Sequence, residues 1–303
     1  MTVTAPSRPS TFQAWKLAIR LPTLTAAISP VAVGTGVAIH LDVFDFLPAL
    51  AALIGALLLQ VGANFANDVF DFKKGADTSE RLGPPRATQM GFVSPRQMLI
   101  GTWLVFGIAM LIGVYLVYVG GWPIVAVGLA SIAAAIIYTG GPWPIGYHAL
   151  GDLFTFVFFG VVAVAGTYYV QAGDVAALAL AASIPVGCTV TQILVVNNLR
   201  DIPTDRKSGK TTLGVILGDR GTRAWYTVLL VAALAVPPAI SLFSTAEWAW
   251  AASIASLPWA ARPFRAITAG ASGRALNPVL KATTRYNLVL GLLLAIAIAL
   301  SSH

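Results

Sequence analysis

Long, uninterrupted apolar runs recur along the whole of this 303-residue chain, and they constrain its fold more than any other feature. Most runs approach the roughly 20 residues that a helix needs to cross a bilayer. A transmembrane β-barrel would instead alternate apolar and polar residues along each strand. Only 10% of the residues are charged, whereas soluble domains carry about 25%. The sequence therefore predicts an all-α, polytopic membrane protein.

We predict nine transmembrane helices in a single domain that covers residues 1–303. The predicted spans are residues 22–39, 47–67, 97–118, 122–140, 152–170, 176–198, 224–244, 247–262 and 286–302. Residues 1–20 form a basic N-terminal tail in which Phe12, Trp15 and Ile19 have helical spacing. That pattern suits a short interfacial helix better than a cleaved signal peptide.

The positive charges predict the orientation in the membrane. If the N-terminus is cytoplasmic and the nine spans alternate, 18 of the 19 Lys and Arg residues fall in the N-terminal tail or in an even-numbered connection, and the other, Arg262, is the last residue of the eighth span, at its cytoplasmic end. This is the bias that the positive-inside rule describes. It also explains the net charge of +7, so we infer a lipid bilayer and no nucleic acid as partner. We expect a multi-pass protein of the cell (inner) membrane whose working face is cytoplasmic.

Two of the predicted cytoplasmic connections begin with the same polar pattern, and we name 68–96 and 199–223 the motif loops. Each time an apolar run leads into Asn, then Asp four residues later, and then Lys and Arg. Residues four apart share one face of a helix. Asn67 and Asp71 are spaced in this way, and Asn197, Asp201 and Asp205 continue the spacing over a second turn.

These rows of oxygen-bearing side chains predict a magnesium diphosphate site. Magnesium binds a few carboxylates together with waters and substrate phosphates. The predicted metal ligands are Asn67, Asp68, Asp71, Asn197, Asp201 and Asp205. The neighbouring cations that could neutralise a diphosphate are Lys73, Lys74, Arg81, Arg86, Arg206, Lys207 and Lys210. An ordinary solvated membrane edge is the alternative, but acidic groups at the ends of apolar helices usually have a function.

With both stretches in view, the chain resembles the UbiA superfamily of intramembrane prenyltransferases. The motifs that carry the resemblance are Asn67-Asp68-Val69-Phe70-Asp71 and Asp201-Ile202-Pro203-Thr204-Asp205, which follow the second and sixth predicted spans. The stretches from Leu21, from Asn67 (continued from Arg81), from Tyr138 and from Val196 are most similar to the branch that prenylates 1,4-dihydroxy-2-naphthoate for menaquinone. A Lys-Lys-Gly insertion moves the third acid of the first motif from position 75 to Asp77, which leaves the role of Asp77 open.

The resemblance implies a reaction and a set of roles. A polyprenyl group would pass from an allylic polyprenyl diphosphate to 1,4-dihydroxy-2-naphthoate, with loss of diphosphate and CO₂ and with Mg²⁺ as cofactor, to give demethylmenaquinone. The implied catalytic residues are Asp68, Asp71, Asp201 and Asp205, and the implied substrate-binding residues are Lys73, Arg86, Tyr138, Arg206, Lys207 and Lys210. Arg20 or Arg86 would hold the naphthoate carboxylate, and Tyr138 would face the allylic cation.

Two alternatives stay open at this point. The acceptor could be another aromatic compound, such as 4-hydroxybenzoate, or the chain could transfer phytyl in phylloquinone synthesis. A more distant alternative is an ion-coupled transporter that uses the acids as ion sites. The enzyme interpretation requires that Asp71 and Asp201 lie at the same end of the helix bundle, close enough to reach one diphosphate.

Overall fold

The computed structural model describes residues 9–76 and 81–301, so Asp77 and the ends of the chain lie outside the described residues. Every regular element within these ranges is helical. The α-helices are α1 (Thr11–Ile19), α2 (Thr25–His40), α3 (Phe46–Lys73), α4 (Pro95–Gly120), α5 (Trp122–Ile137), α6 (Gly151–Thr155), α7 (Ala163–Ala172), α8 (Ala177–Lys207), α9 (Leu213–Phe243), α10 (Ala249–Thr268) and α11 (Leu276–Ala299). A π-helical segment, Phe156–Val162, joins α6 to α7 without a break.

Seven helical segments of the described ranges are long and apolar enough to cross a membrane. They are Thr11–His40, Phe46–Lys73, Pro95–Gly120, Gly151–Ala172, Ala177–Lys207, Leu213–Phe243 and Gly273–Ala299. Helix α5 is apolar but has only 16 residues, and α10, which contains Arg262 and Arg265, is not among the seven. The predicted all-α, polytopic membrane fold is therefore confirmed, whereas the count of nine crossings stays a prediction.

The motif loops are partly helical: residues 68–73 and 95–96 of the first and residues 199–207 and 213–223 of the second belong to helices. Helix α3 continues to Lys73 and α8 continues to Lys207, beyond the predicted ends of these spans. The polar residues that suggested loops instead remain on the helices and contact neighbouring connections. Helix α9 starts at Leu213, where Thr212 Oγ1 accepts a hydrogen bond from the Val215 N–H at 3.3 Å. Gly218, with φ of 66°, then bends α9 in a left-handed conformation that suits glycine.

Helix α8 is the most enclosed of the candidate spans and forms the centre of the bundle. It packs against α9, α11, α2 and the π-helical segment, while α3 pairs with α4 and α5 rests on both. We call the end of the bundle that carries Asp71 and Asp201 the motif end. At the opposite end, buried His40 hydrogen-bonds to the Ser301 carbonyl oxygen at 3.2 Å and to Thr245 Oγ1 at 2.7 Å. These contacts tie α2 to the end of α11 and to the α9–α10 connection.

Candidate active site

The ends of α3 and α8 converge at the motif end, as the sequence interpretation requires. Lys210, which follows α8, has its Nζ 3.3 Å from Asp71 Oδ1 at the end of α3. The Asp205 carboxyl group lies near enough to Asp71 and Asp201 for their charges to act on it. Asn67 and Asn197, four residues before Asp71 and Asp201, line one and the same cavity.

Asp71 is buried and is bound by three groups from other parts of the chain. Arg86 Nη1 lies 2.8 Å from Asp71 Oδ2, and Lys210 Nζ lies 3.3 Å from Oδ1. The hydroxyl of Tyr147, in the α5–α6 connection, donates a hydrogen bond of 2.7 Å to the same Oδ1. Burying an unpaired carboxylate would be costly, so these partners stabilise the ionised form at this depth.

Asp68 holds the connection that carries Arg86. Its two carboxylate oxygens accept hydrogen bonds from the backbone N–H groups of Ala87 at 3.2 Å and Thr88 at 3.1 Å. Arg86 in turn donates to the Asn67 carbonyl oxygen. The role of Asp68 as a metal ligand stays a prediction, but its observed bonds orient Arg86 toward Asp71.

The acids of the second motif lie on one face of the last turns of α8. Arg200 donates to both oxygens of Asp201, through Nε at 2.8 Å and Nη2 at 2.7 Å. The Asp201 side chain is 22% exposed, and Asp205 is also partly exposed. The Asp205 carbonyl oxygen accepts from the Lys210 N–H at 2.9 Å, which turns the chain so that Lys210 reaches Asp71.

The cations nearest to Asp71 differ in part from those that the sequence suggested. Lys73 and Lys74 are both exposed, but Lys74 donates to the Gly141 carbonyl oxygen at 2.9 Å. The Nζ atoms of Lys74 and Lys210 lie 5.2 Å and 4.3 Å from the ring centroid of Tyr147. Partial burial lowers the pKa of Lys74, and the Lys210 charge adds to this lowering, whereas Asp71 opposes it.

Of the predicted diphosphate-binding residues, Arg86 and Lys210 therefore belong to the cluster around Asp71. Arg206 and Lys207 are exposed on the last turn of α8. The sequence interpretation missed Tyr147. The signal that could have found it is an aromatic hydroxyl inside a Gly- and Pro-rich connection at the same end as both motifs.

A cavity of about 650 Å³ runs from the motif end into the bundle. Along α3 its wall extends from Asn67 back to Ala52, roughly 20 Å at 1.5 Å per residue. Polar residues at the motif end of the wall are Arg20, Asn64, Asn67, Tyr138 and Asn197. The deeper wall is mostly apolar and includes Leu59, Val114, Leu116, Ile132, Phe158 and Val162.

Tyr138 stands where the charged end of the cavity meets the apolar part. Its hydroxyl packs close to Gly151, at a place where a Cβ atom would come within 2.8 Å of the oxygen. A tyrosine hydroxyl is protonated at neutral pH, so Tyr138 carries no charge. A neutral aromatic ring therefore lines the boundary between the two environments.

The donor set at the motif end fits magnesium by its chemistry. Asp71, Asp201 and Asp205 offer carboxylate oxygens, and the Asn67 amide oxygen, which accepts from Thr139 at 2.9 Å, lies at the cavity. The described residues contain no group of three or more acidic, His or Cys side chains arranged as a metal cage. Magnesium commonly takes only one or two carboxylates and completes its shell with waters and substrate phosphates.

The fold and the site together define a class of membrane protein, in which a cluster of acids and cations lies at one end of an apolar cavity within a helix bundle. The model of the UbiA prenyltransferase family matches residues 27–275. The chain belongs to the UbiA prenyltransferase family, and the predicted resemblance is confirmed.

Two relatives match nearly the whole chain. The 1,4-dihydroxy-2-naphthoate octaprenyltransferase of Mycobacterium tuberculosis is 39% identical over 290 residues, covering 96% of this chain and 98% of that protein. The protein of the same name from Escherichia coli is 36% identical over 304 residues, covering 95% of this chain and 96% of that protein.

Solved structures share the fold. A UbiA homolog from Aeropyrum pernix K1 superposes with a TM-score of 0.68 at 18% identity, covering 91% of this chain and 96% of that one. A UbiA homolog from Archaeoglobus fulgidus bound to GPP and Mg²⁺ gives 0.66 at 12% identity, covering 93% and 99%. At these identities the similarity concerns the fold alone.

Proposed function

We propose that the chain transfers a polyprenyl group from an allylic polyprenyl diphosphate to 1,4-dihydroxy-2-naphthoate, with release of diphosphate and CO₂. The immediate product would be the quinol form, demethylmenaquinol, which a separate oxidation converts to demethylmenaquinone in menaquinone synthesis. The observation that carries the proposal is the cluster around Asp71 at one end of an apolar cavity of about 650 Å³. Such a site solvates an anionic head group and a hydrocarbon tail at the same time.

The acceptor and the tail are proposed from the relatives. The proteins from M. tuberculosis and E. coli carry the name 1,4-dihydroxy-2-naphthoate octaprenyltransferase, and each aligns with at least 95% of this chain. We therefore favour the naphthoate over 4-hydroxybenzoate, and a long isoprenoid tail over phytyl. Arg20, at the motif end of the cavity wall, is the proposed partner of the acceptor's carboxylate, with Arg86 as the alternative.

Magnesium is the proposed cofactor, and the related fold from A. fulgidus is described as bound to GPP and Mg²⁺. The residues that would hold it are Asn67, Asp68, Asp71, Asn197, Asp201 and Asp205. When bound, it would stabilise the negative charge that develops on the departing diphosphate. The Asp68 oxygens also accept hydrogen bonds from two backbone N–H groups, so this carboxylate would hold the connection that carries Arg86 as well as the ion.

The chain's own cations would act on the same leaving group. Lys74, Arg86 and Lys210 lie around Asp71 and are positioned to donate to diphosphate oxygens, with Lys73, Arg206 and Lys207 further out. Fixed donors aimed at developing charge are usually the largest single contribution to catalysis. Behind the head group, the apolar wall excludes water from the allylic cation, and the neutral ring of Tyr138 faces it.

The proposed topology follows the charge distribution. We propose one domain with nine crossings, an N-terminus in the cytoplasm and the motif end facing the cytoplasm of the cell (inner) membrane. The short helix α1, with exposed Phe12 and a Ser10 N-cap, suits the interface on that side. Single cysteines introduced at the motif end and at residues 41–45 would test this arrangement, because a membrane-impermeant label added outside the cell should reach only those at residues 41–45.

One assay tests the function. Membranes that express the chain receive labelled octaprenyl diphosphate together with 1,4-dihydroxy-2-naphthoate or 4-hydroxybenzoate, with and without a chelator. We expect a prenylated naphthoquinol, loss of product on chelation and recovery when Mg²⁺ is restored. Product with 4-hydroxybenzoate alone would reassign the acceptor, and absence of transfer with every acceptor would overturn the proposal. Membranes with Asp71→Asn serve as the matched control.

A further inference from the structure

Asn277, at the start of α11, bridges the connection after α3 and the second motif. Its Nδ2 donates to the Leu82 carbonyl oxygen at 3.0 Å. Its Oδ1 accepts from Arg200 Nη1, also at 3.0 Å. Neither motif contains this residue, and it is 195 positions from Leu82 along the chain.

The two bonds settle which way the Asn277 amide points. A guanidinium only donates hydrogen bonds, and a carbonyl oxygen only accepts them. The amide must therefore present Oδ1 to Arg200 and Nδ2 to Leu82. A carboxylate at this position could keep the first bond but not the second, and an aliphatic side chain could keep neither.

Arg200 passes this constraint to Asp201. The Arg200 side chain is buried, with 2% exposed, and two of its other donors bond to the Asp201 carboxylate. Paired bonds between a planar guanidinium and a carboxylate fix orientation as well as distance. Arg200 therefore fixes the orientation of the Asp201 carboxylate, and Asn277 fixes the orientation of Arg200.

The connection after α3 lies directly on the same guanidinium. A Cβ atom at Gly83 would come within 2.8 Å of Arg200 Nη2, so a side chain at this position would require the guanidinium to shift. Arg81 Nε donates to the Pro84 carbonyl oxygen at 3.0 Å, and Pro84 and Pro85 restrict the backbone that leads to Arg86. Arg86 is the residue that pairs with Asp71.

We propose that Asn277 is a positioning residue that fixes the two halves of the diphosphate site relative to each other. Through Arg200 it orients Asp201, and through Leu82 it anchors the connection whose Arg86 holds Asp71. This inference rests on the proposed function, because it assigns Asp201 and Asp71 to one metal-diphosphate site. Asn277 touches neither the cavity wall nor the acids themselves in the described contacts, so its effect is indirect.

The test compares Asn277→Leu with the wild-type full chain, purified in detergent. Thermal unfolding is followed with inorganic pyrophosphate at a fixed concentration while Mg²⁺ is varied. We expect the Mg²⁺ concentration for half-maximal stabilisation to rise about tenfold, in line with the usual effect of removing a partner of a metal ligand. Lys281→Ala, one turn further along α11 with an exposed side chain, is the matched control and should behave as wild type.

Transfer kinetics provide the second readout. We expect Asn277→Leu to lower kcat about tenfold and to shift the Mg²⁺ requirement of turnover in parallel. A purely structural role would lower the unfolding temperature without ligand and leave the Mg²⁺ requirement unchanged, and this result would overturn the proposal. Asn277→Asp keeps the acceptor for Arg200, so wild-type behaviour of this variant would show that the bond to Leu82 is irrelevant and would also overturn it.

Asp201→Asn separates this inference from the function on which it rests. If Asp201→Asn loses the response to Mg²⁺ and pyrophosphate while Asn277→Leu keeps it, the role of Asn277 is refuted and the function stands. If the wild type itself shows neither this response nor transfer, the proposed function fails. Should Asn277→Leu not fold, Gly83→Ala disturbs Arg200 from the opposite side and is expected to raise the Mg²⁺ requirement in the same way.

Discussion

Asp71 and Asp205 belong to the two halves of one site, and they differ in burial and in the charged groups around them. Asp71 has a side chain only 3% exposed and is neutralised by Arg86, Lys210 and the Tyr147 hydroxyl. Asp205 is partly exposed and lies near two further carboxylates, Asp71 and Asp201, with Lys210 and Arg200 as the opposing charges. Direct partners therefore compensate the charge of Asp71, whereas Asp205 is more exposed and is acted on by nearby charges of both signs. We infer that the second half is the one that gains most from a bound cation.

The largest expected effect is that of Asp71→Asn, because this change removes both a proposed metal ligand and a structural ion pair. We expect transfer to fall by about a thousandfold. Unfolding free energy should fall by about 3 kcal/mol, since two partly buried cations lose their carboxylate. Transfer assays and thermal unfolding in detergent measure the two effects, and membrane insertion should persist. Near wild-type transfer would contradict the assignment of Asp71.

Asp205→Asn sharpens the comparison, because activity and stability should separate. We expect transfer to fall by about a hundredfold or more. Stability without magnesium should stay unchanged or rise, since a charge is removed from beside two like charges. The same two measurements apply. If the variant is as unstable as Asp71→Asn, the contrast between the halves is wrong.

Lys73 and Lys74 offer a matched pair of adjacent, identical side chains. Lys74→Met should raise KM for the polyprenyl diphosphate about tenfold, the effect of losing one charge-assisted contact of about 1.4 kcal/mol. Lys73→Met should change KM by less than about twofold, because Lys74 and not Lys73 has described contacts beside Asp71, with Gly141 and Tyr147, and an exposed charge without such contacts contributes little. Steady-state kinetics at saturating acceptor separate the two variants. Equal effects of the two variants would support the role in diphosphate binding that the sequence suggested for Lys73.

The smallest expected effect is that of Tyr147→Phe, which removes only the hydroxyl that donates to Asp71. The ring, and with it the contact to Lys74 and Lys210, is retained. We expect a loss of about 1.5 kcal/mol in unfolding free energy and a few-fold loss in kcat/KM, as for a hydrogen bond to a charged group. A loss as large as that of Asp71→Asn would give Tyr147 a direct catalytic role instead.

The sequence was sufficient for the helical membrane fold and for the meeting of the two motifs. Apolar length determines where helices can lie, and a spacing of four determines which face an Asn or Asp shares with its neighbour. Asn67 with Asp71, and Asn197 with Asp201 and Asp205, could therefore be assigned to common faces before any contact was known. The helix ends at Lys73 and Lys207 were missed because the polar residues of the last helical turns have the composition of a loop.

The partners of these acids could not be predicted, because they depend on how the connections fold over the helix ends. Lys73 and Lys74 are equivalent in the sequence, and only the position of the Gly141 carbonyl oxygen distinguishes them. The sequence marks Asp68 as a metal ligand but does not show that its oxygens also accept hydrogen bonds from the turn at Ala87 and Thr88. Asn277 is far from both motifs, and nothing in its local sequence indicates that it reaches Leu82.

The one-sided placement of charge along the cavity has a consequence for what happens after transfer. Under the proposed function, the head group and the tail enter as one molecule but leave as two, and only the inorganic fragment keeps an affinity for the charged end. The prenylated ring keeps only apolar contacts along α3 and α5, so its affinity for the site falls. Diphosphate partitions into water and the prenylated product into the bilayer, and this separation opposes the reverse reaction.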